Sequence, residues 1–175
     1  ITNTIVSCML SLAAVAGGQV KAEDADYFHS NNYSFSIIFP EGWKVNETQF
    51  GGVQAVYKDG NGNESYITIH REEATPDHLK VLENNELADY RLLFWKEQGL
   101  QAKILEKGSG SIGRESGYWV ESHVSGSFPQ FETSYVIIKG GYLYTISTMV
   151  TPDDPSWYAK NKVLFKRAIS SFEVK

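Results

Sequence analysis

The chain has 175 residues and a formal net charge of −5, from 21 acidic and 16 basic side chains. It is 42% hydrophobic and 21% charged, which excludes an intrinsically disordered protein and is sufficient for a core. The acidic balance and the scattered cations argue against a nucleic-acid-binding protein, because such proteins usually carry a basic patch. The length is that of a single domain.

The first 22 residues differ from the rest of the chain. Residues 5–16 form an apolar run without charge, Gly17 and Gly18 interrupt it, and an acidic stretch begins at Glu23. This pattern predicts a secretory signal peptide over residues 1–22. The apolar run is short for a membrane-spanning helix, which needs roughly 20 residues, so we expect no transmembrane helix in the mature chain. The prediction is therefore an exported protein, periplasmic or extracellular.

The single cysteine, Cys8, lies inside this apolar run. Together with the three residues before it, Cys8 loosely fits a bacterial lipoprotein box, and lipoprotein anchoring through Cys8 stays an alternative. The apolar run continues past Cys8, however, where a lipidated cysteine normally opens a polar tether, so we expect an incidental residue of the signal peptide. Residues 23–32 are predicted to be a polar tether, and residues 33–175 a single domain that is stabilised by its core without disulfides.

Strand patterns come first in the predicted domain. Residues 33–39 alternate, and one face carries Tyr33, Phe35, Ile37 and Phe39. Pro40 ends this strand because proline has no N–H to donate, and Trp43 opens the next one. Further strands are predicted over residues 43–48, 53–57 and 66–71. Hairpins join them into an antiparallel meander.

Two helices interrupt the strands. Thr75, Pro76 and an acid in the first turn predict a helix that ends at Gly99, with Leu100 completing a Schellman motif. Strands are then predicted over 102–106, 118–124, 131–138 and 142–150. A second helix follows, with Asp154 as its cap and Pro155 as its first residue. This order indicates an α+β fold with a largely antiparallel sheet.

Several of these elements carry a family resemblance. The residues that carry it are YSFSIIFPEGW (33–43), YLYTI (142–146), the aromatic pair Trp157 and Tyr158, and the closing Ser171-Phe172. In these residues the chain resembles the PsbP-like and Mog1-like group, which includes the DUF1795 proteins of bacteria. Relatives assist photosystem II in the thylakoid lumen, bind the small GTPase Ran, or are exported bacterial proteins without an assigned role. The resemblance implies an α/β/α sandwich, a central antiparallel β-sheet with helices packed on its faces, and a non-catalytic protein.

Two short motifs each allow a chemical interpretation and a purely structural one. Residues 108–113 read G-x-G-x-x-G, but a strand follows instead of the helix that holds a dinucleotide, so we expect a turn between two strands. A calcium loop is suggested by the alternating oxygen-bearing residues Asp59, Asn61 and Asn63. An EF-hand, however, needs glycine at its sixth position and glutamate at its twelfth, where this chain has Glu64 and His70, so we expect a hairpin turn. The four histidines lack metal-ligand spacing, and no G-x-S-x-G occurs. We expect no catalytic residue, no cofactor and no metal.

Trp95 and Trp119 are the candidate partner-binding residues. Trp95 is off the main apolar stripe of the first predicted helix, and Trp119 is on the strand face opposite Tyr118. Aromatic side chains in such places often anchor protein partners. In the plainer interpretation, both fill the two faces of the sheet.

These observations favour a non-enzymatic domain that binds another protein of the cell envelope. One alternative is a small-molecule or lipid-binding domain that uses a cleft between helix and sheet. Another is a hydrolase with a dispersed active site. An exposed apolar patch rimmed by charge would favour the first, a deep apolar pocket the second, and convergent titratable groups with shifted pKa values the third.

Overall fold

The computed structural model describes residues 27–48, 52–83 and 85–175. The predicted signal peptide and Cys8 therefore lie outside the described residues. The secondary-structure elements, in chain order, are β1 (Tyr27–Ser30), β2 (Phe35–Ile38), β3 (Lys44–Thr48), β4 (Gly52–Lys58), β5 (Glu64–Glu73), α1 (Pro76–Glu83), α2 (Leu87–Glu97), β6 (Gln101–Ile112), β7 (Glu115–Ser125), β8 (Gln130–Lys139), β9 (Tyr142–Thr151), α3 (Pro155–Ser170) and β10 (Glu173–Val174).

The centre of the molecule is a seven-stranded antiparallel sheet with strand order β3-β4-β5-β9-β8-β7-β6. A three-stranded sheet, β1-β2-β10, packs beside α3 on one face of it. The helices α1 and α2 cover the opposite face, where Leu82 and Leu87 contact the sheet through Val136 and Leu143. This arrangement confirms the predicted α+β fold with an antiparallel sheet between helices.

The larger core lies between the sheet and α3. On β9, Tyr144, Ile146 and Val150 point into it, whereas Leu143, which is out of phase with them, belongs to the smaller core under α1 and α2. Successive side chains of a strand point to opposite faces, so one strand serves both cores. The Phe165 side chain of α3 and Phe35 of β2 complete the larger core, and both are fully buried.

The N-terminal part of the domain corrects one prediction. Tyr27–Ser30 is a strand that pairs antiparallel with β2, so the predicted polar tether over 23–32 is wrong for these residues. The reason is Phe28, whose ring packs 6.0 Å from that of Phe35 and 5.8 Å from that of Phe39. Two adjacent aromatic residues, Tyr27 and Phe28, followed by polar ones give no alternating pattern, although Phe28 supplies the contact that orders the strand.

The helix predicted over 75–99 consists of two helices, and both of its predicted ends are confirmed. The Thr75 hydroxyl caps α1 by accepting the N–H of His78 at 3.3 Å. Gly99 has a φ of +72°, and the N–H of Leu100 donates to the Trp95 carbonyl at 2.9 Å, which is the Schellman bond. The break comes from Asn85, which ends α1 with a φ of +57°. Asparagine adopts this left-handed conformation more readily than other non-glycine residues.

The rest of the chain follows the predicted order of elements, but β5, β6 and β7 are longer than predicted and β10 was not predicted. Asp154 caps α3 by accepting the N–H of Ser156 at 2.7 Å and that of Trp157 at 3.1 Å. The strand predicted over 102–106 continues through Ile112, so most of G-x-G-x-x-G is strand and the turn is confined to its end. The Asp59 carboxylate accepts the N–H groups of Asn61 and Asn63 in the predicted hairpin turn.

Candidate functional site

Two grooves flank α3 where it crosses the sheet. We call the first the Trp43 groove; it has a volume of about 540 Å³ and lies between α3 and the turn at residues 39–43. The second, the Trp119 groove, has a volume of about 430 Å³ and lies between the other side of α3 and strands β6 to β8. Both volumes fall in the range of roughly 300–1,000 Å³ that is typical of ligand sites.

The Trp43 groove is built by the FPEGW turn. Gly42, with a φ of +80°, lets the chain reverse, and the N–H of Trp43 donates to the Pro40 carbonyl at 3.3 Å. The turn lays the Trp43 ring against that of Tyr57, with centroids 6.0 Å apart and planes 24° apart. Tyr57 stacks in turn on Trp157 of α3, with centroids 6.3 Å apart. The wall of this groove is therefore a rigid row of three aromatic rings.

An exposed apolar patch continues this wall toward solvent. Ile38 lines the groove and is 46% exposed, and its cross-strand neighbour Tyr27 is 57% exposed. The exposed charges of Glu41, Lys160 and Arg167 surround the groove. Among the described residues none of these three forms an ion pair, although Nζ of Lys160 lies 5.3 Å from the centroid of the Trp157 ring, so the rim combines an apolar surface with charges that no acid neutralises.

The Trp119 groove contains one of the two predicted partner-binding residues. Trp119 is half-buried and is the cross-strand neighbour of Tyr135, so the two rings lie side by side in the sheet wall. Gly108 makes this position possible, because a Cβ atom there would lie 2.9 Å from Cζ2 of Trp119. The first glycine of G-x-G-x-x-G therefore accommodates a tryptophan ring.

Buried polar groups form the floor of the Trp119 groove. Lys162 of α3 donates from Nζ to Oε2 of the buried Glu121 at 2.6 Å. Burial, and next the charge of Glu121, raise the pKa of Tyr135 to about 12. Burial also raises the pKa of Tyr158, whose hydroxyl lies 3.2 Å from Oγ1 of Thr133. A tyrosine phenol is protonated at neutral pH in any case, and the raised pKa values keep both hydroxyls neutral at alkaline pH as well.

A family model decides the classification, because the model of the PsbP family matches residues 23–174. The chain belongs to the PsbP family. None of the curated proteins matches it in sequence.

Several solved structures share this fold. Cyanobacterial PsbP (CyanoP) from Synechocystis sp. PCC 6803 is 18% identical, with a TM-score of 0.64 over 91% of this chain and 99% of that one. LpqN of Mycobacterium tuberculosis, described as involved in cell envelope biogenesis, is 14% identical, with a TM-score of 0.53 over 85% of this chain and 89% of that one. The Pseudomonas aeruginosa protein PA94, described as a putative regulator of unknown function, is 13% identical, with a TM-score of 0.53 over 85% and 96%. At these identities the likeness extends to the fold alone.

In this PsbP-family domain the second predicted partner-binding residue, Trp95, belongs to the core. It is only 4% exposed and packs with Val124 and with the ring of Phe94, at 4.8 Å between centroids. Its indole N–H is buried without a hydrogen-bond partner in the described part of the chain. The structure therefore does not support Trp95 as a contact for a partner, and it favours the plainer interpretation for this residue.

A buried ion pair under α2 was not predictable from the sequence. Arg91 donates from one guanidinium nitrogen to both carboxylate oxygens of Glu132, at 2.6 and 2.8 Å, and the Ser134 hydroxyl donates to the same carboxylate at 2.8 Å. A cavity of about 60 Å³ lies beside the pair, too small for an organic ligand of ordinary size. Arginine on an amphipathic helix and glutamate on a strand are usually exposed, so no local pattern marks them as buried.

The described residues give no support to a metal site or a membrane span. Within them, no three His, Cys, Asp or Glu side chains come together in a way that could hold a metal ion. His123 instead pairs with Asp153 at 2.7 Å and stacks on Phe131, as expected for a structural histidine. No helix in the same ranges is both long and apolar enough to cross a bilayer. The absence of a cofactor stays a prediction.

Proposed function

We propose that this protein is an exported, non-catalytic accessory module of the cell envelope that binds another envelope protein through the Trp43 groove. The observation that carries the proposal is the exposed apolar patch of Tyr27 and Ile38, which continues an aromatic wall and is rimmed by unpaired charges. An exposed apolar patch with a polar rim is the usual anatomy of a protein interface.

The chemistry of the groove specifies the kind of partner segment. An apolar side chain of the partner would contact Ile38 and the edges of the stacked rings, which are already ordered and lose little entropy on binding. Lys160 and Arg167 on α3 would face acidic groups of the partner. Opposite charges at an interface rim mainly accelerate association and select the partner, so we expect affinity to depend moderately on salt concentration.

The pKa pattern supports a non-catalytic role. Several of the large pKa shifts in the described residues belong to half-buried tyrosines, such as Tyr90 and Tyr135, whose pKa values are raised by burial to about 12. A phenol that stays protonated at neutral pH is neither a base nor an activated nucleophile. The envelope location is supported by the apolar N-terminal run and by the description of LpqN, a structural relative, as involved in cell envelope biogenesis.

Capture from native envelope extracts, followed by mass spectrometry, tests this proposal when groove variants are compared with a matched control. Ile38→Asp places a charge in the apolar patch, and Lys160→Glu combined with Arg167→Glu reverses the charge of the rim. Val163→Asp is the control, because Val163 is 62% exposed on α3 and lines neither groove.

We expect the wild type and Val163→Asp to capture the same envelope protein in similar amounts. With Ile38→Asp, the captured amount of that protein should fall at least tenfold. The charge-reversed double variant should weaken its capture, and added salt should do the same. Equal retention by the wild type and Ile38→Asp would contradict a role for the Trp43 groove.

Binding of a small molecule or lipid in a cleft between helix and sheet is the second candidate function. The Trp119 groove favours it, since this groove lies between α3 and the sheet and combines an aromatic wall with a few polar groups.

A further inference from the structure

We propose that the Trp119 groove is a separate binding site and that it takes a small aromatic zwitterion, such as an aromatic amino acid or a short peptide containing one. The groove lies on the other side of α3 from the Trp43 groove, so a ligand there would not compete directly with a protein partner. The inference therefore stands independently of the protein-binding proposal. It defines the ligand for the second candidate function.

The aromatic wall supplies the first part of the argument. Trp119 is half-buried above Gly108 and beside Tyr135, so part of its ring surface faces the groove. Offset stacking of a ligand ring on an indole is favourable, and the side chain is already held in place. The side chains of Ile112 and Ile169 also line the groove and extend this apolar surface. A flat, apolar ligand body fits such a wall.

The charges of the two walls supply the second part. The sheet wall carries Glu106 and Glu121, which are cross-strand partners, and the helix wall carries Lys162 and Lys166, one turn apart on α3. Glu121 and Lys162 neutralise each other at 2.6 Å. In the described part of the chain, Glu106 and Lys166 have no ion-pair partner, although both line the groove.

One acid on one wall and one base on the other are complementary to a zwitterion. An ammonium group would be directed to Glu106 and a carboxylate to Lys166, with the ring against Trp119. The volume of about 430 Å³ is enough for an amino acid or a dipeptide. The buried carboxylate of Glu121 and the hydroxyls of Thr133 and Tyr135 make the same floor unfavourable for a lipid chain, because polar groups left facing hydrocarbon lose their hydrogen bonds.

The first experiment follows the tryptophan indole N–H signals by NMR while phenylalanine is added to the intact domain. The chain has four tryptophans, and Trp119→Phe assigns the signal that matters. We expect phenylalanine to shift the Trp119 signal saturably, while the signal of the buried Trp95 stays constant and serves as an internal control. The absence of a saturable Trp119 shift at millimolar concentrations would overturn the proposal, as would equal shifts of all four signals.

Blocked probes and rim variants then test each charge separately. Glu106→Gln should weaken phenylalanine and phenylalaninamide about two- to fivefold and leave N-acetylphenylalanine unaffected. Lys166→Gln should weaken phenylalanine and N-acetylphenylalanine to the same extent and leave the amide unaffected. Lys80→Gln is the matched control and should change none of them, because Lys80 is exposed on α1 and lines neither groove. If uncharged phenethyl alcohol binds as tightly as phenylalanine, or if the rim variants have no effect, the site is not one for a zwitterion.

Discussion

Removal of Arg91 should destabilise the domain strongly, because it would leave the Glu132 carboxylate in the core without its cation. Glu132 is 0% exposed and receives two close contacts from the guanidinium group and one from Ser134. Breaking a buried pair by removing one partner typically costs about 3–5 kcal/mol of unfolding free energy. For Arg91→Met, which keeps much of the side-chain volume, we expect a loss in that range. It would be a large part of the total for a domain with a stability of about 5–15 kcal/mol.

The decisive comparison is with the double variant Arg91→Met/Glu132→Leu. Replacement of both partners by apolar residues removes the buried charge, and such replacements are often neutral or stabilising. The double variant should therefore recover most of the stability lost by the single one, which gives a large coupling energy in a double-mutant cycle. Urea unfolding followed by circular dichroism measures both values.

A loss below about 1 kcal/mol for Arg91→Met would refute this reasoning, since it would mean that the Glu132 carboxylate is not dependent on its partner. The reasoning would also be refuted if the double variant lost as much unfolding free energy as the two single variants together, because the two side chains would then act independently. Lys80→Met tests whether loss of any helical cation has the same effect. Lys80 forms only an exposed pair with Asp77, at 3.6 Å, so its loss should change stability by about 0.5 kcal/mol or less.

Three further predictions concern local features. Gly113→Ala should lower the unfolding free energy by more than about 1 kcal/mol, because φ is +62° there and a Cβ atom would lie 1.9 Å from the Phe172 carbonyl oxygen. Gly110→Ala is the control. Its Cβ atom would meet open space, so the unfolding free energy measured by the same urea assay should hardly change. Asp154→Ala should cost about 0.5–2 kcal/mol through loss of the α3 cap, and Asp154→Asn should cost much less. Burial raises the pKa of Glu72 above 4.5, so its ionisation opposes folding; Glu72→Gln should therefore raise the thermal midpoint at pH 7, and the gain should vanish as the pH falls below about 4.5. A gain that persists at low pH would contradict this cause.

Features with local signals were predictable from the sequence. The cap of α3, the Schellman end at Gly99 and the FPEGW turn each depend on residues within about five positions, and the structure confirms all three. The alternation of strands and helices was likewise sufficient to predict the α+β fold, because layer architecture follows from the order of elements.

The remaining features depend on contacts between distant parts of the chain. Phe28 orders β1 only because β2 and its aromatic residues lie beside it. Arg91 and Glu132 are 41 positions apart, and each has the pattern of an exposed residue until the helix is docked on the sheet. The two grooves arise from the position of α3 across the sheet. For this reason Trp119 could be named as a candidate from sequence, but its setting between Gly108, Tyr135 and α3 could not.

The three-stranded sheet directs the two ends of the described domain to opposite ends of β2. Both β1 and β10 pair antiparallel with β2, one on each side, so they run parallel to each other. The first residue of β1, Tyr27, lies opposite Ile38 at the Trp43 groove, whereas the last residue of β10, Val174, lies opposite Phe35 at the other end of β2. A resin or fluorophore attached next to Tyr27 would therefore stand at the rim of the groove and obstruct it, whereas one attached next to Val174 would stand at the far end of β2. An attachment point in the Gly140–Gly141 hairpin, where neither glycine has a neighbour within 4 Å of an added Cβ, would leave the groove accessible to a partner.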